Sequence, residues 1–176
     1  MKPGHNSNLF LLADGLGHGP NAALASNLAV GIFQNQPECA PEKLVRLIHA
    51  GLKTTRGAAL AVADVSEELG RILFVGVGNL SGLILSEDTK QHMVSHNGTA
   101  GMEPLQIKEF TYPWPGDGLL VLHSDGIATH WSLGDYTGLA WKHPALIAGV
   151  LFRDFHRVRD DGTVIVARGS KRRPKE

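Results

Sequence analysis

One cysteine in 176 residues leaves Cys39 without an intramolecular disulfide partner and fits a reducing compartment. The formal net charge is zero, so no global field draws the chain towards nucleic acid or an anionic membrane. No apolar run approaches the ~18 residues of a membrane span. The first residues, Met1-Lys2-Pro3-Gly4-His5, lack the apolar core of a signal peptide. Together these absences predict a cytoplasmic protein with no nucleic-acid and no membrane partner. Aromatics are sparse at 6%, but an apolar fraction of 43% is enough to build the core of one α/β or α+β domain. The stretch from Lys171 to Lys175 is basic and follows the last predicted strand, so it reads as a solvated end. The domain is placed at 1–168 and a basic, disordered tail at 169–176.

Three strand ends stand out. The apolar run Leu9-Phe10-Leu11-Leu12-Ala13 stops at Asp14, followed by Gly15-Leu16-Gly17-His18-Gly19. The same design returns where Leu119–Leu122 leads through His123 and Ser124 to Asp125-Gly126. It appears in reverse at Asp160-Asp161-Gly162, where the acids precede an apolar strand. A carboxylate at the end of a buried strand needs water, a cation or hydrogen bonds to stabilise its charge. The adjacent glycines let backbone and ligands approach closely. A single Asp-Gly is first of all a hairpin-turn dipeptide, and Asp117-Gly118 behind Pro115-Gly116 is read that way. Asp14, Asp125 and Asp160 differ because each borders an apolar strand. Oxygen ligands without His or Cys suit hard cations such as Mg²⁺ or Mn²⁺. Two such ions can acidify a shared water and clamp a phosphoryl group.

Along the chain, Pro20 opens a helix in which Leu24, Leu28 and Ile32 recur at four-residue spacing. Ala22, Ala25 and Ala29 allow close packing, and Pro37 ends the element. A second helix starts at Pro41-Glu42, with Leu44, Leu47, Ile48 and Leu52 on one face. The two are expected to pair over one face of a sheet. Strands follow over 58–65, 71–77, 80–85 and 91–95, and alternation predicts another over 106–112. A helix is expected over 144–152, before the last strand.

Other motifs carry less. Gly15-x-Gly17-x-Gly19 matches neither phosphate-cradle spacing, and Asp14 would repel a pyrophosphate, so a dinucleotide enzyme is a distant third reading. His18 and His123 are proton-donor candidates or structural groups. Ser124 has no nucleophile-elbow context, so no covalent intermediate is proposed.

Six segments in order carry a resemblance: Ala13-Asp14-Gly15-Leu16-Gly17-His18-Gly19, Thr55-Arg56-Gly57-Ala58-Ala59, Gly76-Val77-Gly78-Asn79, His96-Asn97-Gly98-Thr99, Ser124-Asp125-Gly126 and Arg159-Asp160-Asp161-Gly162-Thr163-Val164. Together they resemble the metal-dependent PPM-type (type 2C) serine/threonine protein phosphatases, in particular the bacterial SpoIIE and RsbX branch. The resemblance spans Leu9 to Arg168. It implies an α+β, four-layer αββα sandwich of two antiparallel sheets flanked by helix pairs, with two Mn²⁺ or Mg²⁺ ions at one end. By the family pattern Asp14 bridges the ions, the Gly15 carbonyl binds one of them, and Asp125 and Asp160 complete the ligands. Those three aspartates act catalytically through a metal-bridging hydroxide that attacks phosphoserine or phosphothreonine. His18 and Asp161 stand behind the ligands as supporting groups.

The implied partner is a phosphorylated regulatory protein of the STAS-domain type, in anti-sigma-factor signalling. Relatives usually carry a further strand with an acidic metal ligand ahead of the first strand here, and Met1 to Ala13 contains no Asp or Glu. That departure predicts a weaker second ion site and an unpaired sheet edge. It also motivates the competing reading, a catalytically weak or inactive phosphatase-like module that binds a regulatory partner. A further departure is Gly162, where relatives often carry an apolar or small residue.

Overall fold

The computed structural model describes residues 7–87, 89–103, 105–158 and 160–170. Arg159, the start Met1–Asn6 and the basic tail from Lys171 lie outside the described residues.

The first strand, β1 (Ser7–Gly15), is followed by two helices, α1 (Pro20–Gln34) and α2 (Pro41–Leu52). Each opens on the proline that the sequence places in its first turn. Strands β2 (Ala58–Ser66) and β3 (Arg71–Val77) complete the antiparallel run β1-β2-β3. The chain then crosses to a second sheet through Gly78–Leu80. That sheet has the order β5-β4-β8-β9, formed by β5 (Lys90–Met93), β4 (Ser81–Leu85), β8 (Leu119–His123) and β9 (Val164–Arg168), all antiparallel. Helix α3 (Pro144–Phe155) covers its outer face.

Three apolar layers hold this together. Leu12, Phe74, Ile84, Leu120 and Leu122 fill the space between the sheets. Ala25, Leu44, Ile48 and Val62 join α1 and α2 to the first sheet, while Val121, Ile127, Ile147 and Leu151 join α3 to the second. The expected four-layer α+β sandwich is present.

Four details depart from the sequence reading. In α1 the buried residues are Ala22, Ala25 and Ala29, whereas Leu24 is 57% exposed and Leu28 37%. The alanine stripe wins because the helix lies close to the sheet: a Cβ on Gly15 would stand 2.0 Å from the Ala22 carbonyl oxygen. The strand read over 91–95 splits. Lys90–Met93 stays in the second sheet, while β6 (Ser95–His96) joins the first by a short parallel pairing with β3. The alternation over 106–112 yields only β7 (Phe110–Pro113), paired with Arg71–Phe74. Beyond Val75, the edge residues Gly76 and Val77 are taken by β6, so a strand over 106–109 could not continue along β3. Finally, the second helical layer is α3 with two 3-10 turns, Leu133–Asp135 and Leu139–Trp141, rather than a helix pair. At the chain's end Gly169 is buried and donates its N–H to Gly118, and the exposed Ser170 bonds Glu67.

Candidate metal centre

β1 ends in Asp14-Gly15, and its last turnings are braced by α1. The Gly15 N–H donates to Ser26 Oγ at 2.9 Å, and the Leu16 N–H to the Gly57 carbonyl at 3.0 Å. On the other sheet, β8 and β9 pair His123 with Val164, so the residue after one strand lies beside the residue before the other. Ser124, 2% exposed, fastens that junction. Its N–H donates to the Thr163 carbonyl at 3.1 Å, and its Oγ accepts the Thr163 N–H at 3.0 Å. The hydroxyl also reaches the Asp161 carbonyl at 3.5 Å. Gly126 completes the fit, since a Cβ there would stand 2.0 Å from the Asp161 oxygen. Asp125 and the acidic loop Asp160–Gly162 are thereby set side by side.

His156, at the end of α3, holds the loop from its other side. Its ring stacks on Phe152 with centroids 4.6 Å apart and its Nε2–H donates to the Asp160 carbonyl at 2.7 Å. Gly162 leaves room for this ring, because a Cβ would come within 2.6 Å of His156 Cδ2.

The two sheets bring Asp14, Asp125, Asp160 and Asp161 into one electrostatic cluster. Asp14 is the member that feels all the others. Its half-buried carboxyl is pushed up to about 6, first by burial, then by the charges of Asp125, Asp160 and Asp161, and by a hydrogen bond shared with Asp125. Among the described residues, no three His, Cys, Asp or Glu side chains close round one point as a formed coordination shell. The carboxylates therefore share a field rather than a finished cage. The donor chemistry nevertheless fits a hard divalent cation: the clustered side chains offer carboxylate oxygens, and their mutual repulsion would be relieved by positive charge.

His18 stands at the exposed tip of the glycine loop. His123 is buried. Its Nδ1–H donates to the Ser124 carbonyl at 2.9 Å and its Nε2 accepts from Trp131 Nε1 at 3.4 Å. Burial also holds it below the ordinary histidine range, so it is a neutral structural group. Sequence reasoning gave no role to Ser124, His156 or Asn79. The last of these donates its side-chain N–H to Asp125 Oδ2. The sequence signal for Asn79 was its place in the segment Gly76-Val77-Gly78-Asn79, which carried the resemblance but assigned it no role.

Asp160, Asp161 and the glycine loop are exposed, so the centre opens on the surface. A cavity of about 510 Å³ lies elsewhere, lined by Leu85, Leu119 and Arg168 at the opposite end of the second sheet. No helix among the described residues is long and apolar enough to cross a membrane.

Two antiparallel sheets back to back between helices, with carboxylates gathered where both sheets end, are the architecture of PPM-type phosphatases, which use divalent metals such as Mn²⁺ or Mg²⁺. Within that class the chain belongs to the stage II sporulation protein E (SpoIIE) family, whose model matches residues 4–169. Among solved structures it is similar to one described under the bacterial stressosome, a modular system adapted to control secondary messenger signalling. The identity is 25% and the TM-score 0.80, with 92% of this chain and 84% of that one covered. RsbX in complex with magnesium is 19% identical with a TM-score of 0.75, covering 94% and 82% of the two chains. The PP2C phosphatase domain of SpoIIE from Bacillus subtilis, with a fragment of its regulatory domain, is 21% identical with a TM-score of 0.73, covering 96% and 56%. No curated protein matches the sequence.

Proposed function

We propose that this protein is a metal-dependent serine/threonine phosphatase acting on a phosphorylated regulatory protein. The observation that carries the reading is the convergence of Asp14 with Asp125, Asp160 and Asp161 from two different sheets, whose charges add to burial in raising the Asp14 carboxyl to about 6. Asp14, Asp125, Asp160 and the Gly15 carbonyl would hold two Mn²⁺ or Mg²⁺ ions, with Asp161 and His18 as supporting groups. Bound ions supply charge neutralisation and an acidified water for direct hydrolysis of a phosphoester.

The chain's own residues do the rest. Asp14, already largely ionised at neutral pH, would have its repulsion with the neighbouring acids offset by the bound ions, and Ser124 and His156 keep the acidic loop in place through backbone bonds. Arg56 lies at the rim, its Nη1 3.0 Å from where a Cβ on Gly17 would stand, and offers a guanidinium to the phosphoryl oxygens. The exposed rim suits a phosphorylated side chain carried on a folded protein. Likeness to structures named for the stressosome and for RsbX supports a regulatory protein as that substrate, and the family resemblance of the sequence suggests one of the STAS-domain type.

A second reading, a catalytically weak or inactive module that binds a regulatory partner, is favoured by the lack of a closed coordination shell among the described residues. Hydrolysis of a small aryl phosphate, with and without Mn²⁺, separates the two. The phosphatase reading expects Mn²⁺-dependent turnover that disappears in Asp125→Asn. A folded protein with no turnover, or turnover unchanged in that variant, overturns it.

A further inference from the structure

The chain passes from the first sheet to the second through Gly78, Asn79 and Leu80, and Asn79 is where this crossing meets the carboxylates. Gly78 is pinned by its surroundings. Its φ of 89° is open to glycine, and a Cβ would stand 2.7 Å from that of Ala59. Its N–H donates to the His96 carbonyl and its carbonyl accepts from Ser95 Oγ, both at 2.8 Å. The next residue therefore leaves a fixed backbone. From there the exposed Asn79 side chain spans to Asp125, 46 residues further on, and donates to Oδ2. Asp125 also faces Asp14 on the other sheet closely enough that its charge helps raise the Asp14 carboxyl.

We propose that Asn79 is a positioning residue for the metal ligand Asp125. Its amide holds one carboxylate oxygen so that the carboxylate faces Asp14 and the cation site in a single orientation. The chemistry of the amide is apt. A lysine or arginine in its place would offset the charge that attracts the cation, and an aspartate would add to the repulsion already raising Asp14. A neutral donor orients the ligand and leaves its charge intact. The inference rests on the phosphatase reading, because it presumes that Asp125 is a ligand.

The test is Mn²⁺ titration by calorimetry of the intact chain, of Asn79→Ala and of Asn79→Gln, beside melting of each protein without metal. Asn79→Ala should bind Mn²⁺ about 10-fold more weakly, the lower end of what loss of an outer ligand partner costs. Asn79→Gln, which keeps the amide, should recover part of that affinity. Melting without metal should be unchanged, because the contact is exposed. Mn²⁺ binding by the parent with the same affinity in Asn79→Ala overturns the proposal while leaving the phosphatase reading standing. So does a metal-free melting point several degrees below the parent, which would make Asn79 a structural brace. A parent that binds no Mn²⁺ overturns the phosphatase reading, and the proposal with it.

Discussion

The two sides of the carboxylate cluster are built differently. Asp14 sits half-buried at the end of a strand that α1 backs at close range, with the Gly15 N–H bonded to a helix side chain. Asp160 and Asp161 sit on an exposed loop, held by Ser124 beneath it and the His156 ring beside it. The first side is a rigid mount and the second a latched one. Asp14 is the member with burial on its side of the cluster, and burial first, then the neighbouring charges, raise its carboxyl.

The sharpest way to break this contrast is to remove the charge from the rigid side. Asp14→Asn should lower Mn²⁺-dependent turnover by more than the roughly 10–100-fold typical of outer ligand partners. It should also raise the melting point of the metal-free protein near neutral pH. A variant with parental turnover would place the chemistry elsewhere.

Adding a methyl group to each side should give opposite signatures. Gly15→Ala drives a Cβ into the Ala22 carbonyl of a packed helix and should cost about 2–3 kcal/mol of stability by denaturant unfolding. Gly126→Ala meets the Asp161 carbonyl of a loop that can shift, so it should cost only about 1 kcal/mol while clearly weakening Mn²⁺ binding. Equal stability losses would show the two sides to be equally stiff.

The contrast has a pH signature as well. The Asp14 carboxyl ionises at about 6 in the folded metal-free protein, against an ordinary 3.8. The folded state therefore holds the extra proton between those values. The stability it contributes is fully present below about pH 4 and is lost as pH rises through about 6. The melting-point advantage of Asp14→Asn over the parent should accordingly be absent near pH 4 and full above pH 6. An advantage that does not change with pH would remove Asp14 as its source.

Smaller effects follow on the latched side and at the rim. Ser124→Ala strands the Thr163 N–H and should cost about 1–2 kcal/mol. Arg56→Ala should raise KM for a phosphoprotein about 2–5-fold, the scale of one exposed charge, with kcat unchanged. A fall in kcat alone would contradict its assignment to phosphoryl binding.

Much of this architecture was legible in the chain. The apolar runs ending in Asp14 and Asp125, the prolines opening α1 and α2, and the Asp160-Asp161-Gly162 entry to the last strand all lie where the sequence puts them. These signals are local, since each depends on residues adjacent in sequence. What escaped depended on neighbours. α2 could be read because Leu44, Ile48 and Leu52 oppose Lys43 and Arg46. α1 carries no charge, and its leucine and alanine faces are equally helical in period, so only the closeness of the sheet selects the alanines. Residues 106–109 alternate like a strand but find the edge of β3 occupied. In the site, the acids announced themselves in Asp-Gly pairs or, for Asp160, one residue before such a pair, whereas the contacts of Asn79 and His156 reach partners 46 and four residues away and no local pattern assigned them a role.

Asp14 belongs to one sheet and its three acidic neighbours to the other or to its loops. The separation of the charges is thus a measure of how the two sheets are aligned. Slippage by one residue along a strand, about 3.3 Å, would carry Asp14 out of reach of Asp125. The cluster is a gauge of the register of the sandwich: the acids share one field because the two sheets meet in this alignment.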